Sequence, residues 1–157
     1  MRHEIPMNES VIYALRMEDR ILREFRELDG GRQNSILGGS IESIDHEQDD
    51  FVVAAVHREA SEELGVEPTH CSQLGDFVSS GVRYYVVLVD AWTGTVPDTN
   101  RDNGNELRWV SSETLVDGIS LEPLRRIIAA TTFPAAAYAK RFQTCHPDRS
   151  EAKWKDL

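Results

Sequence analysis

Two short apolar runs open the chain, at residues 11–15 and 21–25, with Glu18-Asp19 between them. Their β-branched and aromatic content predicts two strands joined by a tight turn. Residues 28–40 are rich in Gly, Asn and Ser, which predicts a loop crossing the surface. Over 49–64 the spacing changes: Val53, Val56, Ala60 and Leu64 form one helical stripe, Asp49 or Asp50 can cap its start, and Gly65 can stop it. Beyond Pro68, residues 73–78 and 82–92 read as strands, the second apolar enough (Tyr84-Tyr-Val-Val-Leu-Val89) for the centre of a sheet. A loop dense in Pro, Asp, Asn and Gly over 96–105 leads to a short strand at 106–110. Helices are expected over 111–116 and 120–130, the latter with Leu121, Leu124, Ile127 and Ile128 on one side, and 134–142 is a candidate last helix. The pattern is that of an α/β fold, a mixed sheet covered by helices on both faces.

Length and composition narrow the picture. At 157 residues the chain suits one compact domain, taken as 1–146, with 147–157 a polar tail that carries Trp154. No stretch approaches the roughly 20 apolar residues of a membrane span, and Met1-Arg-His-Glu-Ile-Pro6 lacks the apolar core of a signal peptide, so a cytoplasmic location is expected. The net charge of −10 argues against a duplex nucleic-acid partner. Cys71 and Cys145 show no CxxC spacing, so neither a zinc site nor a disulfide framework is expected.

The chemistry concentrates in Arg58-Glu-Ala-Ser-Glu-Glu-Leu-Gly65. On a helix, Glu59, Glu62 and Glu63 fall within an arc of about 100° beside the apolar stripe. Three like charges at i, i+3 and i+4 repel, and acids near a helix C-terminus oppose its dipole. Acidic runs on helices are most often solvated faces. A hard divalent cation reverses the sign of the interaction, because Mg2+ and Mn2+ prefer oxygen ligands. The fixed Arg-Glu-x-x-Glu-Glu-x-Gly string would arise by chance on the order of once in ten thousand chains of this size.

That string resembles the Nudix box, with Ala60 at the inner aliphatic position and Val66 at the last. Gly39-Ser-Ile-Glu42 resembles its opening Gly-x-x-Glu, and Asp50 stands where the box has a spaced Glu; about five extra residues, within 43–49, separate the two anchors. Ile21-Leu22 with Arg26, Ser35-Ile-Leu-Gly-Gly39, and Leu107-Arg-Trp-Val110 followed by Glu113-Thr-Leu115 are similar to further family elements, over roughly residues 10–130. The resemblance implies a Nudix-type α/β/α sandwich that hydrolyses a nucleoside diphosphate linked to another group, with Mg2+ (or Mn2+) as cofactor.

By the same resemblance, Gly38, Glu59, Glu62 and Glu63 are expected to hold metal, and Arg58 to orient the carboxylates. Arg26, Gly39 and Tyr84 are expected at the substrate, although Tyr84 also suits core packing. The base is open between Glu106, Asp102 and Glu59, because Asn103 stands where the MutT-type branch has a loop Glu. Leu121, before Glu122-Pro123, stands where that branch has an Asn that reads a purine, so selectivity for an oxidised guanine is not expected. His57 is expected to be inert. The leading substrate is a (deoxy)nucleoside triphosphate. Alternatives are ADP-ribose, a nucleotide sugar or a dinucleoside polyphosphate, and, from another class, a Nudix-like nucleotide-binding domain without catalysis. A monomer or homodimer acting on a small nucleotide, away from membranes, is the expected form.

Overall fold

The computed structural model describes residues 7–28, 31–111 and 122–131. Residues 112–116 of the expected 111–116 helix, the expected helix at 134–142, residues 120–121 of the expected 120–130 helix, and the tail at 147–157 lie outside them, while Ser111 is the last residue of a strand rather than the start of a helix. Elements run in the order β1 (Asn8–Met17), β2 (Arg20–Leu28), β3 (Gly31–Ser35), β4 (Leu37–Ser40), a 3-10 turn (Asp45–Glu47), α1 (Phe51–Leu64), β5 (Glu67–Ser79), β6 (Val82–Thr93), β7 (Glu106–Ser111) and α2 (Glu122–Thr131).

β1 organises the sheet. One edge pairs in parallel with β6, from Asn8↔Val82 to Leu15↔Val89. The other edge is shared: Ser10 to Tyr13 pair with β4, and Arg16 and Met17 pair with β2. β2 then carries β3 on one side and β7 on the other, and β5 closes the far edge beyond β6, giving a mixed seven-stranded sheet. Glu18, in the left-handed region at φ 57°, makes the β1–β2 turn where the sequence places it.

Successive side chains of a strand face opposite sides, and β1 feeds two cores. Val11, Tyr13 and Leu15 pack under α1 with Leu22, Val53, Val56, Ala60 and Leu64, whereas Ile12 and Ala14 pack with Val86, Leu88, Leu124 and Ile128 under α2. The stripe expected on α1 is the buried one, and full burial of each Val or Leu contributes about 1.5–3 kcal/mol. Asp50 is the N-cap, accepting from the Val53 amide at 3.2 Å, and Gly65 ends the helix at φ 67°.

Three expectations change. Residues 28–40 form β3 and β4 rather than a loop: a Cβ on Gly38 would lie 2.4 Å from the Val11 carbonyl oxygen, so glycine there lets two backbones pair closely. β5 runs over Glu67–Ser79 instead of 73–78, because an edge strand tolerates Pro68 and the register shifts that follow it. Cys71 is fully buried and disulfide-bonded, and its spacing carried no sign of a bridge.

Candidate functional site

The last turns of α1 grade the three acids by depth. Glu63 is 5% exposed, Glu59 12% and Glu62 54%, so the inner flank of the helix carries two carboxylates out of water and the outer one stays in it. Glu63 accepts from the Tyr13 hydroxyl at 3.0 Å on Oε1 and from the Asn100 amide at 2.8 Å on Oε2. Burial pushes its carboxyl up to about 7, against those two hydrogen bonds, and the charges of Glu59 and Glu24 push the same way. Burial also raises Glu59, with Arg58 pulling it back down and Glu62 and Glu42 adding to the rise. Tyr13 is pushed well above the ordinary phenol range by burial and then by the charge of Glu63.

Arg58 ties this flank to the segment before the helix. Its Nε and Nη2 grip both oxygens of Asp45, at 3.1 and 2.9 Å, in the fork geometry that suits a guanidinium. Nη2 also donates to the Ser40 carbonyl at 2.8 Å, and Nη1 to Glu59 at 3.0 Å and Glu62 at 3.4 Å. The bond to Asp45 comes first among the effects that raise the Arg58 pKa. Asp45 is 3% exposed and receives the Glu42 amide at 2.8 Å. It belongs to the extra residues between Glu42 and Asp50, and sequence reasoning did not single it out.

Gly39 lies directly beneath Glu59. A Cβ there would stand 2.2 Å from Glu59 Oε1 and 2.7 Å from Oε2, so the carboxylate rests on a backbone that only glycine leaves open. Residues 100–105 close the other side. The Arg101 amide donates to the Glu63 carbonyl at 2.7 Å, and the Gly104 amide to the Asn100 carbonyl at 2.7 Å. Asn100, Asn103 and Asn105 all turn their amides toward Glu24 on β2, a 2% exposed acid that sequence reasoning missed. Two signals were available: Glu24 is in phase with the core residue Leu22, and three asparagines crowd into six residues.

The NUDIX-domain family model matches residues 11–131. The chain belongs to the Nudix family. It is therefore an enzyme of the Nudix hydrolase kind, whose members cleave nucleoside diphosphate derivatives. Among solved structures it is similar to the E. coli ORF135 protein (24% identity, TM-score 0.65, covering 83% of this chain and 92% of that one). A MutT structure from a study of the enzymes of the fish pathogen Aliivibrio salmonicida and of Vibrio cholerae is also similar (22% identity, TM-score 0.62, covering 78% and 98%). So is an ADP compounds hydrolase (13% identity, TM-score 0.62, covering 87% and 75%). No curated protein matches the chain.

The remaining expected residues of the Nudix site divide between the two faces of the sheet. Arg26 lies in phase with Glu24 on the α1 side, 54% exposed, with Nε 3.6 Å from Glu24 Oε1. Asp102 is exposed in the 100–105 loop, its amide bonded to Asn100 Oδ1 at 2.9 Å. Glu106 is turned away. It pairs with Phe25 while its neighbour Leu107 pairs with Glu24, so strand alternation puts Glu106 on the opposite face, where it bonds Arg108 at 2.6 Å. Tyr84 likewise stacks on Phe77 at 5.1 Å against the α2-side core, and the fold does not bring it to the acids. Core packing, one of the two roles read for Tyr84, is the one the structure gives it.

Among the described residues no three His, Cys, Asp or Glu side chains stand together as a ready-made metal cluster. The acids of α1 are spread by their partners, Glu63 toward Tyr13 and Asn100 and Glu59 toward Arg58 and Gly39. A cavity of about 490 Å3 opens behind Arg58, between Ile44, Asp45 and Gln48 on one side and His57 and Ser61 on the other; neither Glu59 nor Glu63 lines it. No helix among the described residues is long and apolar enough to cross a membrane.

Proposed function

We propose that this Nudix enzyme is a magnesium-dependent pyrophosphohydrolase of small (deoxy)nucleoside triphosphates, with Mn2+ able to replace Mg2+. The observation that carries the reading is the pair Glu59 and Glu63, two carboxylates withdrawn from water on one flank of α1, both raised in pKa, with Gly39 clearing the space over one of them. Such acids destabilise the fold as they stand, and a hard cation offsets that cost.

The residues present fit such an ion by donor chemistry. Glu59, Glu62 and Glu63 with the Gly38 carbonyl offer oxygen only, the ligand type that magnesium and manganese favour. Once bound, the cation supplies polarisation of the phosphoryl oxygens. Arg58 holds Glu59 toward Gly39 and keeps Glu62 within reach through Nη1. Arg26, half-exposed on the same face, is proposed to take a phosphate of the substrate. Glu59 and Asp102 are the acids proposed to accept the proton of the attacking water, since Glu106 faces the other side of the sheet.

A panel of nucleoside triphosphates, ADP-ribose, nucleotide sugars and dinucleoside polyphosphates, assayed with Mg2+ and with Mn2+ for pyrophosphate against phosphate release, tests the reading. Pyrophosphate release from triphosphates, lost in Glu63→Gln, is the expected result. Preferential cleavage of the other classes would reassign the substrate, and absence of turnover on every compound would remove the hydrolase reading for this chain.

A further inference from the structure

The asparagines of the 100–105 loop point inward. Asn103 and Asn105 donate to Glu24 Oε1 at 2.8 and 2.6 Å, and Nδ2 of Asn100 stands 3.5 Å from Glu24 Oε2. The same nitrogen donates to Glu63 Oε2 at 2.8 Å. An amide nitrogen carries two hydrogens, so Asn100 can face both carboxylates at once and bridge β2 to the end of α1. The backbone reinforces this link, because Arg101 N–H closes onto the Glu63 carbonyl and Arg101 Nη1 lies over Gly65.

A carboxylate is an expensive choice for a position that is 2% exposed, in phase with Leu22 and paired with Leu107. An apolar side chain would pack there, but it could not collect three amide donors. Glutamine could not either, because its own NH2 would confront the asparagine NH2 groups. The arrangement therefore calls for an acceptor on both oxygens, which only an acid provides.

We propose that Glu24 is a positioning residue of this Nudix site: its carboxylate latches the 100–105 loop onto β2 and, through the Asn100 amide, fixes the orientation of Glu63. It acts through Asn100 and needs no contact with substrate. The inference rests on the placing of Glu63 in the metal-binding flank proposed above. Nothing in the Arg-Glu-x-x-Glu-Glu-x-Gly string encodes the latch, which lies on β2 and on the loop before β7.

The test uses the full chain and the triphosphate it hydrolyses best. Glu24→Gln is expected to lower kcat by about 10- to 100-fold, the usual loss when a group supporting a metal ligand is removed, with a smaller change in KM, felt through the Arg26 guanidinium 3.6 Å away, and a cooperative thermal transition retained. Asn100→Ala should show the same split, and the paired change Asn103→Ala/Asn105→Ala a smaller one, since it loosens the loop but leaves the bridge to Glu63. Mn2+ binding, read by paramagnetic resonance, should weaken in Glu24→Gln and Asn100→Ala. Wild-type kcat in either of those variants, or a loss confined to KM, overturns the proposal. Should Glu24→Gln fail to fold, Asn100→Ala decides by the same criteria. If the unmodified chain hydrolyses nothing, the hydrolase reading fails separately, and the latch is judged from the Asn100, Asn103 and Asn105 side-chain amide resonances. Their movement in Glu24→Gln, or for Asn100 and Asn103 in Asn105→Ala, supports it, and their constancy overturns it.

Discussion

Replacing Glu63 by glutamine should stabilise the metal-free protein at alkaline pH while abolishing its response to metal. In the folded chain the Glu63 carboxyl is raised from 4.5 to about 7, chiefly by burial. The folded state therefore holds this proton more tightly than the unfolded state does. Its contribution to stability is fully present below about pH 4.5, is lost as pH rises toward about 7, and stays lost above that. A displacement of this size corresponds to about 3 kcal/mol at most. Glu59, shifted in the same direction, adds to the same slope and is unaffected in sign by the substitution.

The introduced glutamine keeps the shape and retains an oxygen for the Asn100 amide, and the Tyr13 hydroxyl can reverse its role to accept from the new NH2. What disappears is the charge. In EDTA at about pH 8, Glu63→Gln should exceed the unmodified chain by up to about 3 kcal/mol, or roughly 6–12 °C in Tm for a domain of this size. At about pH 4.5 the two should coincide. Added Mg2+ should raise the Tm of the unmodified chain at pH 8 and leave the variant unmoved. Urea or thermal unfolding across this pH interval, with the difference between the two proteins plotted, is the assay. A variant less stable at pH 8, or a difference that does not grow between these two pH limits, would refute the account of Glu63 as a strained acid.

Other substitutions separate the contributions of neighbouring residues. Arg58→Ala strands the buried Asp45 and should cost about 3 kcal/mol in urea unfolding, the usual scale for breaking a buried pair; Arg58→Ala together with Asp45→Ala should recover a good part of it. Gly38→Ala drives a Cβ against the Val11 backbone and should lower Tm or prevent folding, whereas Gly39→Ala meets only the movable end of Glu59 and should lower kcat far more than Tm. Similar losses of Tm in both would argue against the close seat of Glu59 on Gly39. Tyr84→Phe keeps the ring stacked on Phe77 and lies remote from the acids, so kcat/KM should be essentially unchanged in the steady-state assay; a clear fall would restore Tyr84 to the substrate site.

How much of this was legible depended on whether a residue's role was set locally or by a distant partner. The stripe Val53, Val56, Ala60 and Leu64, its Asp50 cap and its Gly65 stop are encoded within one segment, and α1 matches them. β3 and β4 are not encoded that way. Gly31, Gly38 and Gly39 read as loop because glycine weakens a strand in isolation, and they pair only because β2 and β1 supply the partner edges. In the site, the helical acids and Arg58 were legible from spacing, while Asp45 was not and Glu24 showed only in its phase with Leu22 and in the crowded asparagines, since each acquires its meaning from a contact 13 or more positions away. Glu106, one of three candidate bases, was not legible for a related reason. Its face depends on which β2 residue it meets, a register that the single sequence does not state.

The parallel union of β1 with β6 has a bearing on how the molecule assembles. Residues 8–15 find their longest neighbour only at 82–89, whereas the adjacent hairpin offers β1 just two paired positions, at Arg16 and Met17. During synthesis β4 and α1 can reach β1 early, but the backbone edge of residues 8–15 that faces β6 would stay unpaired until residue 93 or thereabouts had left the ribosome. Refolding from denaturant should accordingly be governed by this long loop closure, and chaperone dependence should end with the completion of β6.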